Sequence, residues 1–144
     1  MYDAETVETI EETDLTCNDY DGADFILRGL PALKSIDIAD ECFLDIRTFE
    51  LNGLNELERV VIGGWSFTDV NNYDEVKNSR RTDGNFTIMN SPRLKSIQID
   101  EVSFGDYRFF TLLNLPSLES IVMGAYLFYH APSFSLNGSV EYLI

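Results

Sequence analysis

Basic side chains are scarce in this sequence: Lys and Arg total 10 against 25 Asp and Glu, a formal net charge of -15. A surface of that sign repels phosphate backbones and anionic headgroups, so nucleic acid and membrane surfaces are poor partners. Histidine occurs once, at His130, without the His-x-x-x-His spacing of a metal site, and it reads as a surface residue. No Gly-x-Gly-x-x-Gly, phosphate loop or strand–turn serine motif is present, so no catalytic residues, cofactor or metal are assigned. No apolar run approaches the roughly 18 residues that a membrane helix needs. The N-terminus carries no basic, apolar leader. A whole product of this kind is expected to be soluble and cytoplasmic; a piece of a longer surface protein carries no such expectation. The two cysteines, Cys17 and Cys42, are too few for a disulfide scaffold or zinc site and read as reduced thiols.

What the chain has in abundance is a period. Phe25, Phe49, Phe86, Phe110 and Phe134 each open the pattern Phe-x-Leu/Ile-x-x-Leu-Pro-x-Leu-x-x-Ile-x-Ile, at intervals of 24, 37, 24 and 24 residues. Numbered from the opening Phe as position zero, apolar residues recur at positions 0, 2, 5, 8, 11, 13 and 18. Of the 28 such positions in the first four repeats, only Ser91 is polar. Self-similarity at this spacing is the signature of stacked coils, each burying its inward face against the next. Phe-x-Leu and Ile-x-Ile are period-two pairs and predict two short strands per coil. Between them, Leu-Pro-x-Leu, with Pro31, Pro92 and Pro116, predicts a single helical or 3₁₀ turn. The expected fold is a mainly β repeat solenoid of 24-residue coils with two short parallel sheets, strands about 4.8 Å apart.

Residues 1–24 hold nine acidic and no basic side chains and are expected to form an acidic cap or degenerate coil. Residues 25–144 form the repeat region, with a polar insertion at 71–83 and an incomplete last coil at 134–144. That last coil leaves a sheet edge, which is expected to be covered by Val140–Ile144 as a lid, by a longer parent chain, or by a partner, self-association included.

Leu33-Ile36-Ile38 and Leu94-Ile97-Ile99 resemble the Leu-x-x-Leu-x-Leu core of leucine-rich repeats. Ile62–Phe67 and Ile99–Phe104 are similar to the Ile-Gly-x-x-Ala/Ser-Phe signature of one branch, found in bacterial and protist proteins, often at surfaces. The resemblance implies a protein-binding scaffold that docks partners on the outward residues flanking the inward Ile pair. One departure matters. Where the family places an asparagine that bonds successive loops, this chain has Glu41, Trp65, Val102 and Tyr126. A straight, two-sheeted solenoid is expected rather than a curved horseshoe.

Flanking the Ile pair, the outward candidates for partner binding are Asp37, Arg59, Val61, Gln98 and Val122, with Trp65 and Tyr126 on the adjoining loop edge. The partner expected is a protein, its identity open. A carbohydrate-binding or carbohydrate-active alternative rests on Asp14 and Asp37. A register counted from Tyr2 sets those two side by side, about 5 Å apart, near a retaining glycosidase spacing; with Glu12 they would begin a calcium site. The same register separates Cys17 from Cys42 by roughly 8 Å, beyond disulfide reach. A third reading is a spacer within a larger surface protein. Asn85-Phe86-Thr87 and Asn137-Gly138-Ser139 are N-glycosylation triplets that matter only in a secreted parent.

Overall fold

A computed structural model of the chain describes residues 7–12, 24–43, 46–68, 84–105, 107–128, 133–136 and 142–143. The residues it describes form eleven strands and no helix: β1 (Thr9–Glu12), β2 (Asp24–Leu27), β3 (Ser35–Ile38), β4 (Thr48–Asn52), β5 (Arg59–Ile62), β6 (Asn85–Met89), β7 (Ser96–Ile99), β8 (Phe109–Leu113), β9 (Ser120–Met123), β10 (Ser133–Leu136) and β11 (Tyr142–Leu143). They alternate between two parallel sheets, ordered β1-β3-β5-β7-β9-β11 and β10-β8-β6-β4-β2. Each Phe-led repeat thus gives one strand to each sheet. The pairing keeps the sequence period: Phe25 lies opposite Phe49, Phe49 opposite Phe86, and Phe86 opposite Phe110.

Alternation sends every second side chain inward, and the Phe residues stack there in two columns. Phe25, Phe49, Phe86 and Phe110 stack with centroids 5.2, 4.9 and 4.9 Å apart. Phe43, Phe67, Phe104 and Phe128 form the second column at 5.2, 4.7 and 5.5 Å. The columns meet edge to face, as at Phe49–Phe67 and Phe86–Phe104. Each such contact adds about 0.5–1.5 kcal/mol to what burial alone contributes.

The turn after Leu30 is the expected single turn and does not extend into a helix. Leu33 N donates to Leu30 O, and the same i-to-i+3 bond recurs at Leu57, Leu94 and Leu118. This is one β-turn with Pro at its second position in three of four repeats; Asn55 takes the place in the other. The strand resumes two residues later, so no further turn of helix fits.

Two ladders tie the repeats at the turns. Between the five-stranded sheet and the Pro turn, position 4 adopts the left-handed region in every described repeat: Gly29, Gly53, Asn90 and Asn114, with φ of 53–68°. Asn114 Nδ2 donates to Asn90 Oδ1 at 3.0 Å, and Asn90 Nδ2 to Asn52 Oδ1 at 3.2 Å. An asparagine ladder therefore exists, on the opposite turn from the family's. At the turn after the six-stranded sheet, buried serines take over. Ser66 Oγ accepts from Cys42 N and donates to Ala39 O. Ser103 Oγ does the same one repeat on, accepting from Ser66 N and donating to Gly63 O.

Tyr107 ties the third repeat to the first. Its ring is fully buried against Phe104, and its hydroxyl donates to Ile46 O, 61 residues away. Gly84 lies flat on that ring, where a Cβ would come within 2.7 Å of Tyr107 Cα. The inserted residues themselves, 71–83, lie outside the described residues.

Two expectations are corrected. In the first strand Thr9 lies opposite Ser35 and Glu11 opposite Asp37, so the register counted from Tyr2 is three residues out. Cys42 is fully buried and disulfide-bonded rather than a reduced thiol. The separation that argued against a bridge came from that misplaced register. Cys17, the only other cysteine of the chain, lies outside the described residues.

Candidate functional site

The parallel register of the six-stranded sheet sets outward residues in rows. One row runs Glu11, Asp37, Val61, Gln98, Val122, and its neighbour runs Thr9, Ser35, Arg59, Ser96, Ser120. Four of the seven sequence candidates therefore share one row, and Arg59 stands in the next. The row changes character along its length. Acidic at Glu11 and Asp37, it becomes aliphatic at Val61 and Val122, the latter 42% exposed. Arg59 lies 3.6 Å from Asp37, an exposed pair that contributes little energy.

At the end of these strands the chain turns through two left-handed residues per repeat. Glu41, Trp65, Val102 and Tyr126 stand at the first, and Phe43, Phe67, Phe104 and Phe128 at the second. Non-glycine residues rarely accept such φ values, and β-branched Val102 least of all. Repetition in four coils shows that the conformation belongs to the architecture. It turns the second side chain, always Phe, into the core; the first is exposed at Glu41, half-buried at Trp65 and Tyr126, and buried at Val102.

Between these rims lies a groove of about 420 Å³ lined by Asp40, Glu41, Gly64, Trp65, Asp100, Glu101, Val122, Met123 and Gly124. Glycines hollow it out. A Cβ at Gly63 would meet Ala39 C at 2.6 Å, and one at Gly124 would meet Glu101 N at 2.6 Å, so neither position takes a side chain. Asp40 Oδ1 accepts from Gly64 N at 2.7 Å, and Trp65 N donates to Glu101 O at 2.9 Å, which fixes both walls. Gln98 Nε2 donates to Asp100 Oδ1 at 3.2 Å, joining the sheet row to the groove.

Trp65 and Val122 thus line one concavity, with Gln98 at its margin. Asp37, Arg59 and Val61 lie on the sheet beside it, and half-buried Tyr126 occupies the rim column without lining the groove. His130 lies outside the described residues. Sequence reasoning did not single out Asp40, Asp100, Glu101 and Met123. A signal for them was present: acids alternate with glycine at positions 14 and 15, as Asp40, Gly63, Gly64, Asp100, Glu101 and Gly124.

The groove's electrostatics are one-sided, with four carboxylates, one indole and two aliphatic side chains. Among the described residues no three His, Cys, Asp or Glu side chains are grouped to hold a metal ion. Asp37 is neighboured by Glu11 instead of Asp14, which itself lies outside the described residues. The described residues contain no helix long and apolar enough to cross a membrane. Comparisons with family models, curated proteins and solved structures gave no match.

Proposed function

We propose that the chain is a non-catalytic recognition module, a leucine-rich-repeat-like solenoid whose six-stranded face and adjoining groove bind a protein partner. The observation that carries this reading is the groove, where Trp65 stands among Asp40, Glu41, Asp100 and Glu101. An arginine or lysine side chain is the complement of that surface. Its charge meets the carboxylates, and a guanidinium lies on an indole face with about 0.5–1 kcal/mol of cation–π attraction at an exposed site. The partner segment is therefore basic and extended, laid along the row toward Val61 and Val122. A stacked core holds these groups at fixed spacing, so docking orders few side chains.

Trp65 is the chain's only tryptophan, so its fluorescence reports the groove directly. Titration with short arginine-rich peptides is expected to change Trp65 emission saturably, and an acidic peptide of equal length to leave it unchanged. Replacing Asp100 by Asn and Glu101 by Gln together is expected to weaken binding about tenfold, near 1.4 kcal/mol. A response to oligosaccharides instead of peptides would favour the carbohydrate reading, now resting on Trp65 with flanking acids. Indifference to both would favour the spacer reading.

A further inference from the structure

The outward face of the five-stranded sheet carries a feature that the proposed recognition reading does not use. Alternation along β6 buries Phe86 and turns Asn85 and Thr87 to the same solvent side, with Asn85 exposed. Thr87 Oγ1 donates to Asn85 Oδ1 at 3.4 Å. The triplet Asn-Phe-Thr is thus intact, and its acceptor amide opens to solvent. Directly opposite Asn85 in the ladder is Phe109. The residues at this register position are Asp24, Thr48, Asn85, Phe109 and Ser133, so Phe109 is the one apolar member of a polar row. It is nonetheless 42% exposed. A third observation bears on compartment: Cys42 is disulfide-bonded, as happens in secretory and extracellular settings.

We propose that Asn85 is an N-glycosylation acceptor and that the first sugar of its glycan lies over the exposed ring of Phe109. Neighbouring strands stand about 4.8 Å apart, within reach of a sugar attached through the short Asn side chain. The apolar C–H face of an N-acetylhexosamine covers an aromatic ring well, which accounts for a Phe in a polar row. In the covalent step, Asn85 Nδ2 forms a bond to the anomeric carbon of a lipid-pyrophosphate-linked oligosaccharide. The bond from that carbon to the pyrophosphate oxygen breaks, lipid pyrophosphate leaves with the electron pair, and the amide nitrogen loses one proton. No oxidant is required. The enzyme meets the chain before it folds, so strand formation does not block transfer. The folded protein then holds the glycan in solvent on the face opposite the groove.

The test uses the full chain, directed into the secretory pathway of a eukaryotic host by a cleavable leader. Peptide mapping is expected to find the glycan on the tryptic fragment 82–93, and amidase release to convert Asn85 to Asp. Asn85→Gln and Thr87→Ala should each leave that fragment bare, while any sugar on the second triplet at Asn137 persists. Phe109→Ser should lower the melting temperature of the glycosylated protein by about 2–4 °C more than that of Asn85→Gln protein. A chain, secreted or retained, whose 82–93 fragment carries no sugar overturns the site. Equal melting losses with and without the glycan overturn the role of Phe109.

Discussion

Single residues in this fold divide by whether backbone conformation or space constrains them. Gly29 has φ 63° and open space within 4 Å of where a methyl would stand, whereas Gly63 would press a Cβ against the Ala39 carbonyl carbon at 2.6 Å. Gly29→Ala is therefore expected to cost about 1 kcal/mol, the left-handed penalty alone. Gly63→Ala should cost about 3 kcal/mol or more, since backbone must move; urea melts of the two variants check the contrast. Tyr107→Phe leaves the buried Ile46 carbonyl without its hydroxyl donor and should lower stability by about 1–3 kcal/mol, read in the same way. The importance of Tyr107 was not legible in the sequence, because its partner lies two repeats back and past an insertion. The Gly-or-Asn column at position 4 was there to be read, although the strand-and-turn pattern did not single it out. It appears as Gly29, Gly53, Asn90 and Asn114, the residue types that accept left-handed φ. The rim column was not, because nothing in Trp65, Val102 or Tyr126 advertises a positive φ.

At the scale of elements, both the strands and the single turn between them were readable. Period-two pairs such as Ile36/Ile38 and Phe86/Ile88 announce one buried face, and both sheets follow from them. Leu-Pro-x-Leu closes one i-to-i+3 bond, the lone turn its spacing predicts, and no helix extends from it. The first strand slipped by three because acidic residues 1–24 contain no Phe-led motif to anchor a count. That slip displaced Asp14 from Asp37 and produced the wrong expectation for Cys42. The serine ladder gives a sharp prediction for its element. Ser66→Ala strips the partner from Cys42 N and Ala39 O in one repeat while Ser103 still bonds Gly63 O. Loss of about 2–3 kcal/mol is expected, with hydrogen exchange accelerating first at the amide of Cys42. Uniform acceleration through all repeats would show that the serines do not act locally.

For the whole molecule, charge and stacking pull in opposite directions. A formal net charge of -15 repels itself at low ionic strength, while two interlocked Phe columns run through four repeats. Salt screens the first and leaves the second intact, so melting temperature should rise as sodium chloride goes from about 20 to about 500 mM. Binding of a basic segment should weaken over the same range, because its attraction is electrostatic. Opposite salt trends for stability and affinity would place both effects on the same acidic surface. Recognition is assigned to one concavity, and amide chemical-shift mapping with an arginine-rich peptide tests that assignment most directly. Shifts are expected to cluster at 39–41, 63–65, 98–101 and 122–124, with the five-stranded face unmoved. Shifts confined to that other face, or absent at saturating peptide, would contradict it.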